Sequence, residues 1–319
     1  MPTLDEILAE ADTVDTEALQ TIAAAFGGMY DRISPQIELI IRRLGDEPTQ
    51  AQINKAIAEI QSLLEAQMTG FAGYIENSLP EFEANSVQMG LSQSLLILSL
   101  FGIEGETPAD AISILGSMLS PNSPLYKRLQ IYGAYHADSI AQALKDIITN
   151  TLSTGQGQSL IANIMRQAEL IITNALADAI RLVRTSLLYS YREATRLNYS
   201  ANGVTQWQWL AQLDDRVCMS CVVMHGTIHS IDETLNDHHN GRCAMIPIVD
   251  GELLVEENAG QTWFNGLGQT QQKAMMGKGR YEAWKAGNFE LPAISTFYDD
   301  AVYGQMRREA SLKDLVKGN

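Results

Sequence analysis

The chain has 319 residues, enough for two or three compact domains, and its 45% hydrophobic and 19% charged residues are the composition of a globular protein with a core to bury. A formal charge of −16 sets most of its surface against DNA and RNA, because phosphate binding needs clustered Lys and Arg. The acidic N-terminus lacks the basic start of a secretory leader, and the most apolar window, residues 95–103, is about half the roughly 20 residues that span a membrane.

Residues 1–31 carry Asp5, Glu6, Glu10, Asp12, Asp15, Glu17 and Asp31 without a Lys or Arg. The first half then reads as helix. Ile53, Ile57, Ile60, Leu63 and Leu64 recur at helical spacing over 51–69, and residues 86–102 and 125–148 repeat the pattern, broken at Pro108 and between Pro121 and Pro124. Gly155 and Gly157 mark a linker that divides a helical N-terminal region, 1–155, from a second module, 156–319. That module opens on a long helix over 159–200. Arg181, Arg184, Arg192 and Arg196 fall within about a 120° sector of it at roughly 100° per residue. They are either a solvated face with local ion pairs or a partner-binding stripe for an acidic protein surface or DNA phosphate.

After Gly203 the character changes. Trp207 and Trp209 alternate as in a strand, and residues 244–255 read as a hairpin turning at Asp250 and Gly251. Residues 270–287 and 299–308 return to helix, and Ser311 and Asp314 have the spacing of a capping box.

The chemistry gathers in residues 214–243. Cys218 and Cys221 form C-x2-C; sixteen residues then intervene before His238 and four more before Cys243. An odd count of cysteines, all in one stretch, is no disulfide framework and points to metal binding in a reducing compartment. Two short-range pairs joined by a loop supply the four soft ligands of tetrahedral zinc: Cys218, Cys221, Cys243 and a histidine. Four of the five histidines lie here. His238 is the first choice, then His239, then His225. The alternative is a set of ordinary buried thiols beside surface histidines. The fold expected is mainly α with a small α+β C-terminal module: a helical N-terminal region, a long connecting helix, and a zinc-knuckle-like loop with a short β-hairpin.

A catalytic reading is weaker. H-E-x-x-H and H-x-E motifs are absent, Glu233 is the nearest carboxylate without a competing role, and Cys218 fits a metal ligand better than a nucleophile. Gly-Lys-Gly-Arg at 277–280 is not a phosphate loop, Asp214 and Asp215 read as a solvated turn, and Trp263, Phe264, Tyr281 and Trp284 read as core anchors.

Residues from about 156 onward resemble the phage Mu F-like, or head morphogenesis, minor head proteins of tailed bacteriophages. The likeness rests on Arg184 and Thr185 in a long helix followed by Asn198 and Gly203; on D-x-R-x-C-x-x-C, as Asp214, Arg216, Cys218 and Cys221, with Gly226 downstream; and on H-x-N-x-R-C, as His238, Asn240, Arg242 and Cys243, followed by Pro247. Trp263, Phe264, Gly277 and Arg280 also match the family's end. Two departures stand out: Ser186 where the family has Glu, and Gly241 where it often has Cys, which leaves more of the ligation to His238.

The resemblance implies a non-enzymatic virion protein, present in few copies inside or at the portal vertex of the head and in the host cytoplasm during assembly. Its implied partners are the portal protein, the major capsid protein and packaged DNA, with no membrane, and its implied role is head morphogenesis and DNA packaging or ejection. A zinc-dependent hydrolase or nuclease and an internal DNA-binding virion protein are the rival readings.

Overall fold

The computed structural model describes residues 13, 15–45, 48–108, 124–153 and 160–317. Among the described residues four long helices come first: α1 (Thr16–Arg42), α2 (Gln50–Leu100), α3 (Pro124–Ser153) and α4 (Leu160–Ala201). The expected stretches 51–69 and 86–102 are thus one continuous helix. A small mixed region follows: β1 (Gln206–Leu210), α5 (Met219–Met224), β2 (Ile228–Ser230), β3 (Ala244–Ile248), α6 (Ala259–Gly266), α7 (Gln269–Met276), α8 (Lys278–Lys285), a 3-10 turn (Leu291–Ile294), β4 (Ser295–Asp300), β5 (Gly304–Glu309) and α9 (Leu312–Lys317). The protein is mainly α with a small α+β C-terminal part. Among the described residues no helix is long and apolar enough to cross a membrane. The expected linker at 155–157 lies outside the described residues.

The chain forms two compact units, each assembled from separate stretches: Glu17–Phe82 with Leu119–Arg184, and Met1–Thr16 with Glu83–Met118 and Thr185–Asn319.

The first is helical. α2 starts at a reciprocal cap, in which the Gln52 N–H donates to Thr49 Oγ1 and the Thr49 N–H to Gln52 Oε1. Isoleucines at helical spacing (Ile22, Ile33 and Ile37 on α1; Ile53, Ile57 and Ile60 on α2) give each helix a buried stripe. Phe26 meets Phe71 edge-on at 5.1 Å, Phe71 meets Tyr132, and the Tyr132 hydroxyl donates to Ala175 O, so α1 to α4 contact in sequence.

The second unit holds the metal-type motif. Its spine is the C-terminal half of α4, where Tyr191, Ala194, Asn198 and Tyr199 are all buried. α2 crosses it at Gly90, where an added Cβ would overlap Tyr191 O and press on Ala194. Asn198 Nδ2 ties the helices further by donating to Leu91 O and Ser94 Oγ at 3.2 and 2.6 Å. Three antiparallel strands in the order β2-β1-β3 lie beside it, with Trp207 opposite His229 and Pro247, and Trp209 opposite Met245. Phe264, Met276 and Tyr281 sit with Met219 and Val222 in a second small core, as expected of the aromatic anchors.

Two local expectations change. The turn at Asp250 and Gly251 forms, both residues taking the left-handed conformation (φ 52° and 78°), but it closes only the Val249–Glu252 bridge, because β3 pairs with β1 instead. Residues 299–308 are not helix. β4 and β5 form a hairpin whose turn ends at Gly304 with φ 71°, and Thr296, Phe297 and Tyr298 suit a strand better than a helix.

Candidate metal centre

Two loops converge to make the site. The first is the C-x2-C knuckle. Cys218 is the N-cap of the short helix α5, and its Sγ accepts from the Cys221 N–H at 3.4 Å, which turns both thiols to one side. The knuckle ends at Gly226, whose φ of 86° and close approach to Glu256 O leave no room for a side chain. The second loop, 235–243, turns through Asn240 in the left-handed conformation, with the Gly241 N–H donating to His238 O at 3.0 Å.

Their meeting point is Cys221. It belongs to two groups whose ligand atoms lie within 4.8 Å of one another, Cys218–Cys221–His238 and Cys221–Asp237–Cys243. His238 Nε2 is 3.2 Å from both Cys218 Sγ and Cys221 Sγ. Its Nδ1–H donates to His239 O at 2.8 Å, which fixes the tautomer and leaves the Nε2 lone pair facing the thiols. For metal–sulfur and metal–nitrogen bonds of about 2.3 and 2.0 Å, a tetrahedral S···N edge is about 3.5 Å. The observed edges are a few tenths of an ångström shorter, so a small expansion admits an ion. This Cys/His cluster can hold a metal.

The other histidines are engaged elsewhere. His239 contacts Thr185 Oγ1 through Nδ1 and Asp300 Oδ2 through Nε2 at 3.0 Å. His225 Nδ1 accepts from the Ala211 N–H at 3.0 Å. His229, stacked on Trp207 at 4.5 Å, uses its two nitrogens on Glu233 and Thr227. Glu233, the carboxylate expected as a candidate base, is thereby a partner of His229 and lies outside both metal-type groups.

The electrostatics are strongly polarised. Cys218 is pulled down to about 5, first by the Cys221 thiol and then by His238. The neighbouring Cys218 and Cys243 thiols, and then burial, push Cys221 well up. His238 is raised to about 10: burial would lower it, but Asp237 and Cys218 outweigh that. Asp237, although buried, is held below the usual carboxylate range by His238 and Arg192.

Asp237 and Arg192 were not legible as site residues in these roles. Asp237 Oδ1 accepts from the Cys221 thiol and the His238 N–H, and Oδ2 from the Cys243 N–H and Arg192 Nη2. Arg192 also donates to Cys243 O and Gly241 O at 3.0 and 2.9 Å, which fastens the second loop to α4. Gly241 makes the space for Asp237, since a Cβ at 241 would overlap its carboxylate.

The four expected partner-binding arginines do not form one exposed row. Arg192 is 6% exposed and spent on the metal loop, and Arg196 bonds Glu193 and Ile231 O. Arg181 is exposed but ion-paired with Asp178, and Arg184 is half-buried. The reason is local: from Thr185 to Tyr199 the helix is enclosed on nearly every side, so its arginines turn to carbonyls and carboxylates of their own chain.

Other signature residues pair with one another. Arg242 forks onto Asp214 and reaches Gln212 Oε1, linking the D-x-R and R-C elements. At the departure Ser186 a carboxylate is present after all: the hydroxyl donates to Glu83 of α2, whose other oxygen is buried without a partner among the described residues.

Comparison with protein-family models, with curated proteins and with solved structures finds no match for the chain.

Proposed function

We propose that Cys218, Cys221, His238 and Cys243 hold one structural zinc ion, and that the chain is a non-enzymatic minor head protein of a tailed phage. In this reading it associates with the portal or capsid and acts in head morphogenesis and DNA packaging or ejection. The observation that carries the metal part is His238 Nε2, placed 3.2 Å from Cys218 Sγ and Cys221 Sγ, with Cys221 also grouped with Cys243. Three thiolates and an imidazole are a closed set, with no position left for water or substrate, which favours a structural role over hydrolysis. When bound, zinc would add to the packing of loops that already bury Met219, Val222, Val223 and Leu235. Cys218 and Cys221 would clamp the knuckle, and His238 and Cys243 the returning loop.

The head-protein part rests on the motif resemblance. It is supported by the way the motif residues serve one another: Arg242 on Asp214, Gly226 at the end of the knuckle, Asn198 locking α4 to α2. The DNA-binding reading is less favoured, because Arg192 and Arg196 are turned inward.

Elemental analysis of tag-free protein tests the metal, with one zinc per chain expected and Cys218→Ser expected to lose it. An intact fold with no stoichiometric metal would end this assignment. The head role is tested by expressing the chain with portal and capsid proteins and asking whether it enters assembled heads. Exclusion from heads that otherwise form would refute it.

A further inference from the structure

The hairpin β4–β5 sets a half-buried cation, Arg307, beside the loops of the candidate metal centre. The Arg307 backbone N–H donates to Asn236 O at 2.8 Å, next to Asp237. Its Nη1 donates to Ser295 Oγ at 3.3 Å, and Ser295 Oγ lies 2.9 Å from Ser220 Oγ, next to Cys221. The backbone of Arg307 is thus tied to the returning loop, and its guanidinium, through Ser295, to the knuckle. The guanidinium is held over Phe297 at 4.1 Å and near the Trp209 ring at 5.7 Å. Yet its Nε is buried and has no hydrogen-bond partner among the described residues. A buried N–H normally finds an acceptor, so the exception asks for one.

The charges say what kind. A divalent ion with three thiolates and a neutral imidazole carries one net negative charge, and buried Asp237 adds a second. Arg192, bonded to Asp237, cancels one of them. Burial lowers Arg307, and the charges of Glu233 first, then Asp237 and Cys221, oppose that effect.

We propose that Arg307, packed against both loops of the site, is the outer-sphere cation of the metal centre, supplying the positive charge that matches the site to a divalent ion. The proposal rests on the zinc reading above. Arg307 is a positioning and charge-balancing residue and touches no ligand-exchange position. Outer-sphere partners of this kind set ligand orientation and metal affinity, and their loss typically weakens binding 10–100-fold.

The test uses the full chain, with zinc affinity measured by competition against a chromophoric chelator and the thiolate environment read from the sulfur-to-metal charge-transfer band after Co2+ substitution. Arg307→Gln is expected to weaken zinc about 10–100-fold and to shift the band. Arg307→Lys, which keeps the charge, is expected to lose clearly less. Arg307→Met keeps the apolar stem and serves as the neutral variant if Gln does not fold. Neutral variants with wild-type affinity and an unmoved band would overturn the proposal, leaving an ordered water as the acceptor. So would an equal loss with Lys and with Gln, which would mean that side-chain shape is what counts. Failure of wild-type protein to take up any metal would sink the zinc reading and this proposal together; uptake indifferent to Arg307 would sink this one alone.

Discussion

Arg242 holds Asp214 through two near-parallel hydrogen bonds, Nη2 to Oδ1 at 2.7 Å and Nη1 to Oδ2 at 2.8 Å. The pair joins the segment that leads into Cys218 to the residue that precedes Cys243. It closes the 214–243 segment with the planar fork that Lys cannot reproduce.

Breaking that pair is expected to loosen the loop before it affects the helices. Asp214→Asn and Arg242→Lys should each cost about 1–3 kcal/mol. The Arg242 hydrogen bonds, helped by the Arg216 N–H, hold Asp214 at about 2, below the ordinary 3.8. A lowered carboxylate adds stability above its unfolded value and loses it as pH falls through the folded one, so this contribution is present above about 3.8 and gone below about 2. Acid unfolding followed by tryptophan fluorescence should therefore lose its steepest step in that window in Asp214→Asn. An unchanged acid transition would show that the pair carries no stability.

Metal removal should act on one region. Structural zinc supplies on the order of 10 kcal/mol in small domains. A strong chelator is expected to raise hydrogen exchange across residues 214–243, while exchange in the helical unit containing α1 and α3 stays slow. Uniform protection before and after chelation would show that the loop holds itself.

Glu83 makes the opposite pH prediction. Burial raises it to about 7, against the lowering effect of the Ser186 hydrogen bond. A raised carboxyl contributes stability in full below its unfolded value, near 4.5, and loses it as pH climbs through about 7. Glu83→Gln keeps an acceptor for Ser186 and removes the ionisation. Denaturation should find the variant up to ~3 kcal/mol more stable than wild type at pH 8, with little gain at pH 4.5. A constant difference between the two pH values would refute an ionising Glu83.

The helix crossing at Gly90 gives a steric prediction. Gly90→Ala forces α2 and α4 apart against Tyr191 O and Ala194. Overpacking of this kind costs about 1–3 kcal/mol, and a lowered melting temperature should report it. Gly70, with nothing near its missing side chain, is the control expected to tolerate Ala.

Much of the helical half was legible, because Ile53, Ile57, Ile60 and Leu64 repeat at the period of a helix that buries one side. The convergence of the C-x2-C knuckle on His238 was legible because ligands able to share one metal ion recur at constrained spacings. The hairpin at 295–309 was missed: short strands give little periodicity, and Gly304 was the main local sign of a turn. Arg192, Arg307 and Glu83 left no local trace either. Arg192 lies 45 residues from Asp237, and Glu83 lies 103 from Ser186. What distinguishes the four nearby histidines is which nitrogen each has committed, and spacing does not encode that.

The contact between Gly241 and Asp237 carries a rule of substitution. The carboxylate fills the volume that any side chain at 241 would enter. A thiol at 241 and an acid at 237 therefore compete for one corner, and a chain can keep either but not both in this geometry. Gly241→Cys alone should be damaging, whereas pairing it with Asp237→Gly would free the corner and offer the ion a fourth sulfur. Exchanges at these two positions should travel together.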